Sequence, residues 1–356
     1  MLKNKKMKQG IICELLILLI LSMFLVFSKR GTESIATLST QTEKKYIKYV
    51  EFNVCYDALD KAYHYDVESK SEEIYLNWIE LLAYLGAKYG GEFKNYKAKD
   101  MDKLVEKLQS KEVTMASITE DMKYYKYYLE AYSAVLGGMV GDFEIEEATE
   151  GDSGEKVWVK KYGLKAFLPI AKGYPYNDCD DFGMARSYGY KRSHLGHDMM
   201  GQVGTPIVAV ESGYVEAIGW NKYGGWRLGI RSFDGKRYYY YAHLRRNFPY
   251  NKSLEQGSIV QAGDVIAYLG RTGYSTTENT NNIKTSHLHF GLQLIFDESQ
   301  KEGTNEIWVD CYALVKFLYR NRSETLKDLE TKEYHRIYGF KDLAAEAYSI
   351  EKSKNQ

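Results

Sequence analysis

From about residue 47 to 140 the apolar positions recur at helical spacing. Ile74, Trp78, Leu81, Leu82 and Leu85 follow one face of a 3.6-residue period, and Gly90-Gly91 then supplies a stop. This spacing predicts a helix over 74–89. Asp100 reads as the N-cap of a second helix that places Met101, Leu104, Val105 and Leu108 on one side. The run EDMKYYKYYLEAYSAVL, 120–136, predicts a third, ended by Gly137-Gly138. Past residue 150 the period changes. Short β-branched and aromatic runs (TPIVAV, GYVEAIGW, RLGIRSFDGKRYYYYAHL, GSIVQAGDVIAYLGRTG) alternate with glycine-rich turns, and FDGK between two such runs is a hairpin signal. Eight of the thirty glycines precede residue 150 and twenty-one fall between 151 and 310, which sets the boundary between the two patterns.

The expected fold class is therefore α+β and multi-domain. A spacer and helical accessory region covers 31–150, an all-β antiparallel domain 151–320, and a charged tail, helical or frayed, 321–356. The first thirty residues differ from all of these. A basic MLKNKKMKQG precedes IICELLILLILSMFLVFS, eighteen residues interrupted only by Glu14. As a helix this run is about 27 Å long, close to one hydrocarbon thickness. The leading lysines favour a cytoplasmic N-terminus with the remainder outside. Segment 1–30 is expected to be a membrane anchor that makes the cell membrane a partner, with a cleaved signal peptide and a secreted protein as the alternative; either way the bulk of the chain is exported.

Composition removes some classes. The 356 residues carry zero formal net charge, so there is no basic field to suggest nucleic acid. Cys13 falls in the apolar run, and the other three cysteines, Cys55, Cys179 and Cys311, are far apart and form neither a disulfide framework nor a metal knuckle.

Histidine usage changes the picture further. Of seven histidines, four lie in two short stretches, SHLGHD (193–198) and SHLHF (286–290), with His243 between them in YAHL. If RSHLGHD is extended, His194, Gly196 and Asp198 share one face and His197 points away. If TSHLHF is extended, His287 and His289 share a face. One site then collects His194, Asp198 and one or both of His287 and His289. Two imidazoles and one carboxylate suit Zn2+, and three protein ligands leave a fourth position open, the catalytic arrangement.

Together RSHLGHD, GTPIVAVESGYVEAIGW, NKYGGW, YAHL, VQAGDVIAYLGRTG and SHLHF resemble the M23 peptidases, the lysostaphin-like zinc metalloendopeptidases of bacterial cell walls. The resemblance spans about 160–315. It implies that His194, Asp198 and His289 bind zinc and that His287 and His243 are the catalytic pair, and all five positions are filled. It also implies peptidoglycan as the partner and substrate, with hydrolysis of its peptide cross-links as the activity.

The chemistry agrees with that implication. Zinc lowers the pKa of bound water from 15.7 to about 7. A group must still move the proton, and in the absence of HExxH a histidine is the natural substitute. Rival readings are a non-catalytic envelope scaffold binding wall or a partner protein, and a separate glycan-cleaving activity using Glu80. The turn VQAGDVIAYLGRTG also resembles biotinyl and lipoyl carriers, but it has no lysine at its tip. In the run 238–241, Tyr238 and Tyr240 share one face and Tyr239 and Tyr241 the other; core and sheet packing is the expectation, with one pair lining a substrate groove as the alternative.

Overall fold

The helices predicted by spacing form, with shifted boundaries. A computed structural model describes residues 46–149, 155–187, 191–301, 303 and 305–354. The apolar segment at 1–30 lies outside the described residues, and among those described no helix is long and apolar enough to cross a membrane. Residues 47–356 form one compact unit.

Among the described residues five α-helices come first: α1 (Tyr56–Ser69), α2 (Trp78–Tyr89), α3 (Ala98–Gln109), α4 (Met115–Thr119) and α5 (Tyr125–Leu136). Helix α2 starts at Trp78 rather than at 74, because the Asn77 side chain accepts from the backbone N–H groups of Ile79 and Glu80 and fixes the start there. Asp100 is not a cap. It sits in the first turn of α3, where its carboxylate faces the positive end of the helix and accepts the Tyr89 hydroxyl at 2.7 Å. The expected third helix forms as α5 but begins only at Tyr125, and the short α4 before it, which spacing does not predict, is capped by Thr114 reciprocally with Ser117.

Sixteen strands follow among the same described residues. β1 (Val140–Ala148) and β2 (Lys156–Leu164) pair along their full length. After them come β3 (Ala185–Ser187), β4 (Lys191–Ser193), β5 (His197–Met200), β6 (Pro206–Val208), β7 (Gly213–Asn221), β8 (Gly225–Ser232), β9 (Arg237–Ala242), β10 (Ile259–Val260), β11 (Val265–Tyr268), β12 (His287–Leu294) and β13 (Ile307–Val309). A further helix, α6 (Tyr312–Leu318), precedes β14 (Thr325–Lys327), β15 (Tyr334–Arg336), β16 (Phe340–Asp342) and the last helix, α7 (Leu343–Lys354). The main sheet has the order β10-β7-β8-β9-β12-β13, with β5 also pairing β12, and its ladders are antiparallel. The FDGK turn joins β8 to β9 with Gly235 at φ 71°, as the hairpin signal predicts. The segment beyond 320 is more ordered than a frayed tail. β14 and β15 form a hairpin, and β16 adds a third strand beside β1, with Phe340 stacked on Phe143 at 5.2 Å.

One face of the main sheet makes the core. Leu228, Ile230, Tyr239, Tyr241, Leu288, Phe290, Leu292 and Leu294 are buried there. By alternation Arg227, Gly229, Tyr238, Tyr240, His287, His289, Gly291 and Gln293 occupy the other face. Helix α5 is fastened to this sheet by Arg237. Its guanidinium is buried and donates to the Ala134 carbonyl at 2.9 Å, to Glu211 Oε2 and Oε1 at 2.7 and 3.0 Å, and to Asp234 at 2.9 Å. The Tyr239 hydroxyl also donates to Glu211, at 2.6 Å. A Cβ at Gly138 would lie 1.6 Å from Glu211 Oε1, so this position has to be glycine for the carboxylate to reach the junction.

Candidate metal centre

Strand β12 carries His289 between β9 and β5, opposite Ala242 on one side and Asp198 on the other. His287, two residues earlier, lies on the same face. The alternation expected for 287 and 289 holds. It does not hold for 194–198, where the strand begins only at His197 and residues 194–196 turn. His194 reaches Asp198 across this turn. His197 points away, as expected, and pairs with Asp178 at 2.8 Å. A Cβ on Gly196 would come within 2.6 Å of the His289 ring, so the glycine leaves room for that imidazole rather than for an ion.

His194 Nε2, Asp198 Oδ1 and His289 Nδ1 form a triangle with edges of 3.0, 2.9 and 3.1 Å. A tetrahedral ion with bonds of about 2.0–2.1 Å requires ligand atoms roughly 3.3 Å apart, so the three groups fit one small cation after slight expansion. His194 Nδ1 lies 3.3 Å from the Asp181 carbonyl and 3.1 Å from its Oδ1, which commits the ring proton to that side and turns the Nε2 lone pair inward. Arg186 bridges the Asp181 carboxylate and Asp198 Oδ2, the latter at 3.3 Å, so only Oδ1 of Asp198 is left for a ligand bond.

The other two histidines stand beside this triangle. His287 Nε2 lies 3.7 Å from Asp198 Oδ1, and its Nδ1 donates to the Thr285 carbonyl at 2.8 Å. His243 follows the last residue of β9 and has φ 61°, a left-handed value that carries a backbone cost in a residue with a Cβ. Its Nδ1 donates to the Thr272 carbonyl at 2.9 Å, and its ring centroid is 4.8 Å from that of His287. Thr272 belongs to the GRTG turn, which therefore shapes the site rather than displaying a carrier group.

Burial alone would raise the Asp198 carboxyl, but the surrounding histidines override it and hold its pKa far below the ordinary range. Burial, reinforced by His287 and His289, pushes His243 well below the ordinary imidazole value. His289 is lowered as well, chiefly by burial. For His194 burial is outweighed by Asp198 and Asp181, and its pKa is raised above 6.5. A proton therefore competes with a metal for His194 at a higher pH than for an ordinary imidazole. Zinc affinity is expected to fall as the pH drops through that titration, measured by calorimetric titration at pH 8, 7 and 6.

Spacing does not single out Asp181 and Arg186. They lie in the loop and strand before the first histidine motif, and only the acidic run 178–181 hints at them. Arg186→Gln frees Asp198 Oδ2, and zinc affinity is expected to drop by about 10–100-fold with the fold intact, read by chelator competition beside circular dichroism.

Two clefts meet at the triangle and share Arg192, His194 and His289. The first, about 510 Å³, contains Arg186, His243, Tyr274 and His287. The second, about 670 Å³, runs over the open sheet face past Arg227, Tyr240 and Trp308. Tyr239 and Tyr241 pack in the core while Tyr238 and Tyr240 line this second cleft, so both uses of the tyrosine run occur. Glu80 lines a separate apolar cavity of about 220 Å³ as its only described carboxylate. Glycoside hydrolysis ordinarily needs two, so this cavity does not support glycan cleavage. Cys55, Cys179 and Cys311 form no disulfide.

An antiparallel sheet with a His-Asp-His triangle on its open face, and two further imidazoles beside it, is the constellation of a metallopeptidase. Residues 192–302 match Peptidase family M23, so this segment of the chain is M23-like. It is 38% identical over 131 residues to the L-Ala–D-Glu endopeptidase of Bacillus subtilis, covering 36% of this chain and 38% of that protein. It is 38% identical over 98 residues to lysostaphin of Staphylococcus simulans, covering 27% of this chain and 17% of that protein. The chain thus spans well under half the length of these curated relatives. A solved structure of a proposed glycyl-glycine endopeptidase, LytM, from Ruminococcus gnavus aligns with 78% of this chain and 92% of its own, at 23% identity and a TM-score of 0.49.

Proposed function

We propose that this protein is an exported zinc endopeptidase that hydrolyses peptide bonds of bacterial peptidoglycan, held at the membrane by its N-terminal apolar segment. The observation that carries the reading is the convergence of His194 Nε2, Asp198 Oδ1 and His289 Nδ1 with His287 and His243 beside them on one open sheet face. The three convergent groups would hold the ion. When bound, zinc supplies Lewis acidity and lowers the pKa of a coordinated water.

The remaining work falls to this chain's own residues. His287 donates its Nδ1–H in a hydrogen bond to the Thr285 carbonyl, so Nε2 is free to accept a proton from the attacking water and pass it to the leaving amine. His243 donates its Nδ1–H in a hydrogen bond to the Thr272 carbonyl and is kept neutral by burial. Its Nε2 is then an acceptor, which suits orienting the water better than donating to an oxyanion. Support for the substrate comes from the relatives, which are named as endopeptidases, one of them for an L-Ala–D-Glu bond. The anchored location rests on the apolar run at 11–28 and its leading lysines.

The test is digestion of purified peptidoglycan with the zinc-loaded protein, followed by mass spectrometry of released fragments. Loss of cross-linked or stem peptides that a chelator stops and zinc restores is the expected result. A folded, zinc-loaded protein that releases nothing would put the scaffold reading ahead.

A further inference from the structure

The second cleft has a charge problem that its own residues do not solve. Lys301 is paired with Glu216 at 2.7 Å, and Arg231 also reaches Glu216, at 3.4 Å. Glu306 accepts from the Trp308 indole at 2.8 Å. Arg192 and Arg227 are left over. Both are half-buried, neither has a carboxylate partner among the described residues, and the Nε of each is buried without a hydrogen-bond acceptor.

Their positions aim them at whatever occupies this groove. Arg227 projects from the open face of β8 beside Gly229, whose missing side chain gives its space to Tyr238. Arg192 precedes the first ligand histidine by two residues, lies over the Tyr274 ring at 5.2 Å, and borders both clefts. The Tyr240 phenol lies in the field of both guanidiniums. A partly desolvated guanidinium with a free edge is costly unless an acceptor meets it, and its planar fork fits a carboxylate. A neutral glycine chain would cover these groups and offer them no charge.

We propose that Arg192 and Arg227 form an anion subsite for a free carboxylate of the substrate close to the scissile bond, so that the preferred substrate is an acidic stem-type peptide rather than a glycine bridge. This rests on the peptidase reading above and selects among its substrates.

Three probes of similar size test it on the zinc-loaded protein. They are an Ala–γ-D-Glu–Lys peptide with its α-carboxylate free, the same peptide as the α-carboxamide, and pentaglycine. The carboxylate peptide is expected to show a kcat/KM about 10–100-fold above the carboxamide, with the difference mainly in KM. Arg192→Gln and Arg227→Gln should each shrink that ratio toward one, and Arg→Lys at either position should restore part of it. Circular dichroism confirms that the variants fold. Equal cleavage of carboxylate and carboxamide, or faster cleavage of pentaglycine, overturns the subsite and leaves the peptidase reading standing. If no peptide is cut, peptidoglycan digestion decides the peptidase reading and calorimetric binding decides the subsite. Binding of the carboxylate peptide at least about tenfold tighter supports it, and equal binding overturns it.

Discussion

Zinc binding is expected to be lost and peptide release to fall by about 10⁴-fold or more when His289 is replaced by alanine. The triangle that would hold the ion has edges of only 2.9–3.1 Å, and removing one corner leaves only the His194–Asp198 pair of it in place. His287 lies on the same strand face two residues away, yet its substitution should read differently. His287→Ala is expected to retain zinc while losing roughly 10²–10⁴-fold in rate, the usual contribution of a positioned proton carrier. Metal content by elemental analysis, measured beside peptide release, separates the two. If His287→Ala lost the metal as readily as His289→Ala, the assignment of ligand and proton carrier would have to be exchanged.

The second large effect lies away from the cleft. Arg237→Ala should cost about 3–5 kcal/mol, because it strands Glu211 as an uncompensated buried charge and unties the last turn of α5. Glu211→Ala alone should cost a similar amount for the converse reason. The double variant Glu211→Leu/Arg237→Met should cost much less than the sum of the two, since it removes both charges at once. Urea unfolding followed by tryptophan fluorescence measures all three. Additive losses would mean that the guanidinium acts through packing rather than through its ion pair.

Much of this molecule is legible in its residue pattern, for identifiable reasons. The HxH pair reads correctly because β12 is a buried strand with strict alternation, so 287 and 289 must share a face. The HxxxD pair is brought together as well, but by a turn instead of by alternation; side-chain spacing alone does not reveal which. Gly196 draws the eye for its position, yet its reason is the ring of a residue 93 positions later, which no local pattern carries. Asp181 and Arg186 are in the same position. Their role depends on a loop folding back onto His194, and loops have no period to read. The short strands after 320 escape because each is three residues long and carries a basic residue, and β16 acquires strand geometry only from β1, far away in sequence.

The Arg237 junction and the β16–β1 pairing have a consequence for how this protein could be recombined. A peptidase module is commonly thought of as something evolution or an engineer can cut out and splice onto a different targeting segment. Here the sheet that bears the histidines borrows backbone carbonyls from α5 to satisfy its own buried guanidinium, and β1 takes a strand from near the end of the chain. A graft of 151–320 alone would expose a buried ion pair on one flank and an unpaired strand edge on another. The transferable piece is the larger body that carries the helices and the closing strand with it, so new specificities in this lineage are more readily built by altering loops around the clefts than by shuffling the catalytic sheet.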